Sequence, residues 1–130
     1  MNTSVQFNSD IFKPFLSDEA QVNPECFGAE LAWWLTKELA TRSFETSYPN
    51  YEDWGWFIEY LIDDNEFWLC CGNIQGTANE WQIYLEPKAK GFFGRKVPKV
   101  ELAKSLLAAI DSLLIETEDI SNIRWSTQSA

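Results

Sequence analysis

The chain has 130 residues, 45% of them hydrophobic and 23% charged, with a formal net charge of −10. That composition fits a single globular domain over 1–130 and excludes a disordered or fibrous chain. The charge disfavours nucleic acid and anionic lipid and favours a cationic protein as partner, while no stretch reaches the ~20 apolar residues of a bilayer span.

In chain order, Val5 and Phe7 alternate weakly and predict a short strand, followed by a loop through Ile11, Phe12, Phe15 and Leu16. Asn23-Pro24-Glu25 has the form of a helix start, with an N-cap, a proline at the first helical position and an acid near the positive end of the dipole. Phe27, Leu31, Trp34, Leu35 and Leu39 recur at spacings of three and four, which predicts a helix to about Arg42. Gly28 falls inside it and suits close packing against a strand. Tyr48-Pro49-Asn50-Tyr51 reads as a turn. The β-rich runs 54–62, 66–72 and 80–86 then predict an antiparallel meander, its first turn at Asp63-Asp64-Asn65. After a basic loop over 88–99, Pro98 opens a second helix to about 116 with Leu102, Leu106, Ala109 or Ile110, and Leu113 on its apolar face. Residues 122–126 suit a last strand. The expected fold is α+β: a three- to five-stranded, mainly antiparallel sheet with two helices packed on one face.

Pairing 62 with 66 across a three-residue turn fixes the faces of the hairpin. Phe57, Leu61, Phe67, Leu69, Trp81, Ile83 and Leu85 then lie under the helices. Trp54, Trp56, Tyr60, Trp68 and Tyr84 form an aromatic platform on the other side, rimmed by Glu66, Gln82 and Glu86. The chain is 15% aromatic, with seven Trp, and an uncovered platform of such rings is an interaction surface. Residues 1–22 or a second subunit are the alternative occupants of that face, and a one-residue slip in the turn exchanges the faces of a strand.

Little in the chain points to catalysis. It holds no histidine, which removes the commonest general base and metal ligand, and with them any Ser-His-Asp or Cys-His site. Cys70 and Cys71, adjacent on a strand, point to opposite faces and cannot chelate one metal. With Cys26 they make an odd set of three, which fits reduced packing residues in a cytoplasm rather than a disulfide framework. The start MNTSVQFNSDIF lacks the basic and apolar regions of a secretory leader. Carboxylates at Glu52-Asp53, Asp63-Asp64 and Glu66 could pair as in a glycosidase, but a small sheet leaves little room for a cleft. Asp63-Asp64-Asn65 lacks the spaced ligands of a calcium loop. The loop from Lys88 to Lys99 has five basic residues and no acid, with Phe92-Phe93 at its tip, and reads as a solvated loop or as an anchor for an acidic partner. No catalytic residue, metal or cofactor is expected.

The acidity belongs to residues 1–80, which hold three basic residues against fourteen acidic ones, whereas residues 81–130 hold seven against six. Together, FGAELAWWL (27–35) and YEDWGWFIEYL (51–61) resemble a set of uncharacterised small bacterial proteins. Those share a similar helix, a Glu-Asp-(Trp or Phe)-Gly-Trp strand start and a hairpin. The resemblance covers 24–86 and extends to Ile123-Arg124-Trp125, and it implies no activity and no catalytic residues. By type rather than by motif, the chain is similar to immunity proteins that neutralise bacterial toxins and to phage inhibitors that mimic nucleic-acid charge. The expected function is therefore a small acidic cytoplasmic protein-binding module, an immunity protein or toxin inhibitor. Its anchors are Trp54, Trp56, Tyr60, Trp68 and Tyr84, and its charged rim is Glu52, Asp53, Asp63, Asp64 and Glu66. The alternatives are a small-ligand or carbohydrate-binding module using the same face, and a structural homodimer that buries it.

Overall fold

A computed structural model describes residues 1–13, 28–74, 77–89 and 97–127. The elements run β1 (Ser4–Ser9), α1 (Ala29–Thr41), β2 (Asn50–Glu52), β3 (Gly55–Ile62), β4 (Asn65–Asn73), β5 (Glu80–Lys88), a 3-10 turn (Val100–Ala103), α2 (Lys104–Glu116) and β6 (Ile120–Ser126). The class is α+β, as the sequence predicts. The sheet, however, has six strands in the order β2-β3-β4-β5-β1-β6, and each neighbouring pair is antiparallel.

One strand goes beyond the expected five. The predicted turn at 48–51 partly becomes β2, a three-residue edge strand. The N-terminal β1 lies between β5 and β6, pairing Val5 with Ile83 and with Trp125. It thus belongs to the sheet plane rather than covering a face. The proposed helix start at Asn23-Pro24-Glu25, along with Cys26, lies outside the described residues.

The hairpin turn decides which side chains are buried. Ile62 pairs with Asn65, so the loop is the two-residue Asp63-Asp64. Both aspartates have positive φ, 49° and 66°, as a type I′ turn requires for its twist to match the strands. Relative to the expected three-residue turn, β3 slips by one residue against β4, and every β3 side chain changes face. Trp56, Ile58 and Tyr60 therefore point to the helices, beside Leu69 and Phe67 of β4. Phe57 and Leu61, expected in the core, lie on the opposite face.

Helix α1 ends in a Schellman motif: Ser43, at φ 70°, donates to the Ala40 carbonyl and Phe44 to the Leu39 carbonyl. Phe44 then packs against Tyr60. The inward face of α1 is Leu31, Ala32, Leu35 and Leu39; that of α2 is Leu106, Leu107, Ile110, Leu113 and Leu114. Leu102 is exposed, because 100–103 winds at three residues per turn and leaves the phase of the following helix. Both helices join Val5, Phe7, Ile58, Leu69, Trp81 and Ile83 in one core cluster, and the buried Trp81 indole donates to the Ser9 carbonyl at 3.0 Å. Arg42 and Glu116 form an ion pair between the C-terminal ends of the two helices.

Two glycines let the layers meet. Gly28 precedes α1 at φ 150° and Gly55 opens β3 at φ 153°. A Cβ on either would stand 2.8 Å from the same Cys71 carbonyl oxygen. Gly28 thus allows the close approach to a strand that the sequence suggests, at the helix entrance rather than within the helix. Among the described residues no helix is long and apolar enough to cross a membrane.

Candidate binding face

The sheet face away from the helices takes alternate residues of each strand. β3 presents Phe57, Glu59 and Leu61; β4 presents Glu66, Trp68 and Cys70; β5 presents Gln82, Tyr84, Glu86 and Lys88. Three adjacent residues cross the sheet in register, Phe57 with Cys70 and Cys70 with Tyr84. Trp54, in the turn before β3, folds back with its ring 6.2 Å from Phe57 and 6.1 Å from Tyr84. It therefore roofs Cys70, and Phe57 and Cys70 are buried although neither belongs to the main core.

A second unit adjoins this roof. The ring of Trp68 lies on Phe57 at 3.8 Å and 11°, a stacked pair. Its indole N–H donates to Glu66 Oε2 at 2.7 Å. The Lys88 ammonium stands 3.9 Å from the Trp68 ring centroid and 2.9 Å from Glu86 Oε1. Since Phe57 covers one side of the indole, the ammonium lies over the other.

Charge and polarity divide this face. The β3–β5 part carries Glu59, Glu66 and Glu86 against Lys88. The remainder is a polar ladder: Gln82 donates to Ser4 at 3.0 Å, Asn122 to Asn8 at 3.1 Å, and Arg124 to the Asn122 carbonyl at 2.8 Å. Two apolar side chains stay open on the acidic part or its margin, Leu61 at 64% and Trp54 at 42% exposure. Leu61 lies opposite Glu66 and two residues from the exposed Asp63-Asp64 turn.

Of the expected anchors, Trp54, Trp68 and Tyr84 lie together on this face. Trp56 and Tyr60 do not: both are half-buried on the helix side, Trp56 against Tyr51 and Tyr60 against Phe44. The expected rim is also divided. Glu66 is on the face, but Glu52-Asp53 and Asp63-Asp64 sit at opposite ends of the eight-residue β3, which at ~3.3 Å per residue places them ~20 Å or more apart. Phe57, Glu59, Leu61 and Lys88 were missed as members of the face. The two-residue turn is the signal that assigns the first three, and the continuation of β5 to Lys88 assigns the fourth.

The thiols are packing groups. Burial, followed by the nearby Glu86 carboxylate, pushes the Cys70 thiol up to about 12. Burial likewise raises Cys71, on the other face of the strand, and burial with the Cys70 charge raises Tyr84. A thiol held protonated at neutral pH is a poor nucleophile. Among the described residues no group of three or more His, Cys, Asp or Glu is placed to hold a metal ion. On the helix side, Met1, Leu107, Ala108 and Trp125 line a shallow hollow of about 350 Å³, where the Trp125 indole donates to Asp111 at 2.8 Å. Most of the basic loop, with Phe92-Phe93, lies outside the described residues.

No family model, curated protein or solved structure matches the chain.

Proposed function

We propose that this chain is a protein-binding module that takes a cationic protein on the outer sheet face, in the manner of an immunity protein that inhibits a bacterial toxin. The observation that carries this reading is that exposed Leu61 and Trp54 share this face with Glu59, Glu66 and Glu86, Leu61 opposite Glu66 and two residues from the Asp63-Asp64 turn, Trp54 over Phe57 and Tyr84. Two apolar contact points on an acidic face suit a partner with a basic cleft: the apolar contacts hold the complex and the charges speed encounter. The chain acts as a binder and not as an enzyme. The two free thiols buried at the sheet suit a reducing compartment, which supports a cytoplasmic setting.

Affinity capture from the source cell's lysate at low and at high salt tests this reading. The wild-type chain is compared with a Trp54→Ala, Leu61→Ser double variant. One basic protein captured by the wild type, weakened by salt and lost with the variant, is the expected result. Capture that is indifferent to both changes would remove the outer face from the account. A second reading, a small ligand or sugar ring on the same face, is favoured by half-exposed Trp54 beside Tyr84. It predicts a saturable change in Trp fluorescence with a neutral glycan, abolished by Trp54→Ala. Burial of the face in a homodimer predicts instead a concentration-dependent dimer that the same double variant dissociates.

A further inference from the structure

The arrangement around Trp68 carries an inference that rests on the cationic-partner reading. We propose that the face of the Trp68 indole turned away from Phe57, with Glu86 beside it, is a seat for one lysine or arginine side chain of the partner, and that Lys88 fills this seat in the unbound chain. A cation is attracted to the face of a tryptophan ring, and a ring held still with a carboxylate near the charge favours that contact. Three contacts supply these conditions. Phe57 backs the ring at 3.8 Å. Glu66 fixes its rotation through the 2.7 Å hydrogen bond and, by accepting that hydrogen bond, adds electron density to the π-system. Glu86 supplies the counter-charge, 2.9 Å from the ammonium already present.

Lys88 is a replaceable occupant. Its side chain stays partly open to solvent, as does that of Glu86, and lysine is a flexible point charge that can swing into water at small cost. The electrostatics also leave room for another cation. Glu59, which pairs with Trp68 across β3 and β4, joins Glu66 and Glu86 against the single ammonium of Lys88. A second cation thus lowers the local excess of negative charge, and the displaced Lys88 stays near enough to compete when the partner leaves.

Hexalysine peptide serves as the probe, titrated at low salt while the indole N–H resonance of Trp68 is followed by NMR. Lys88→Gln empties the seat. Lys104→Gln, on α2, makes the same change in net charge away from it. The expected result is that Lys88→Gln binds the peptide at least threefold more tightly than Lys104→Gln, with the Trp68 resonance moving, and that adding Glu86→Gln reverses the gain. Equal affinity of the two lysine variants, with Trp68 unmoved, would overturn the seat while leaving the acidic surface as a general attractor. Failure of the wild type and all variants to bind hexalysine would overturn both readings.

Discussion

The two faces of the sheet bury aromatic rings in different ways. On the helix side, Trp81, Phe7 and Phe12 interlock edge to face with aliphatic residues of both helices, and one cluster extends from Val5 to Ile120. On the outer side there is no second layer among the described elements, and Trp54, Phe57, Trp68 and Tyr84 cover one another sideways. The first arrangement holds the fold. The second hides Phe57 and Cys70 yet leaves Leu61 and part of Trp54 open. An aromatic-rich sheet face is therefore not automatically an open platform, and its available surface is what lateral stacking leaves uncovered.

Substitutions on the two faces should separate accordingly. Trp81→Ala, which empties a core site and removes a buried hydrogen bond, should cost about 3–5 kcal/mol in chemical denaturation. Gly55→Ala places a side chain at φ 153° against the Cys71 carbonyl; the backbone strain alone should cost about 1–3 kcal/mol, and the same denaturation series measures it. On the outer face, Lys88→Gln removes a partly exposed cation–π contact and should cost about 0.5–1 kcal/mol. Leu61→Ser should change stability by no more than about 0.5 kcal/mol, although it is expected to weaken partner binding. Leu61→Ser unfolding the chain as readily as Trp81→Ala would erase the distinction between the faces.

The thiols give a pH-dependent test of the roofed site. Cys70 has its thiol pKa raised in the folded chain from 9.0 to about 12. The unfolded chain therefore loses the proton first as pH rises. The stability associated with the neutral thiol is complete below pH 9 and declines between about 9 and 12. Native protein should resist thiol-directed reagents at Cys70 and Cys71 at pH 7–8, as read by mass spectrometry of the labelled peptides. Cys70→Ala should reduce the alkaline loss of stability measured by denaturation, leaving the part due to Cys71 and Tyr84. Rapid labelling of Cys70 in the folded state at pH 7 would show that Trp54 does not close the site.

Much of the architecture is legible in the sequence, because periodicity reports burial directly. The 3.6-residue spacing of Leu31, Leu35 and Leu39 and the alternation of Trp81, Ile83 and Leu85 both identify inward faces correctly. The face of β3 is a different matter. Trp56, Phe57, Ile58, Tyr60 and Leu61 are apolar at nearly every position, so alternation carries no sign there and the assignment rests on the turn alone. Asn65 tolerates positive φ well, which draws the expected turn out to three residues; in the structure Asp63 and Asp64 take that conformation and Asn65 begins β4. The error moves Trp56 and Tyr60 out of the candidate site and Phe57 and Leu61 into it. The seat at Trp68 was beyond local pattern, since it joins residues of three strands whose lateral order follows from the register. The place of β1 between β5 and β6 was hidden for the same reason.

Hydroxyl-radical footprinting of the free chain and of its complex with a captured basic partner tests the central claim most directly. The described residues offer two exposed aromatic sites to compare: Trp54 on the outer face, and on the helix side the Trp33–Tyr48 pair, whose rings lie 5.6 Å apart. The account predicts strong protection of Trp54 and Leu61 on binding, with Trp33 and Tyr48 oxidised as before. Protection of Trp33 and Tyr48, with Trp54 and Leu61 unchanged, would contradict it and place the partner against the helices.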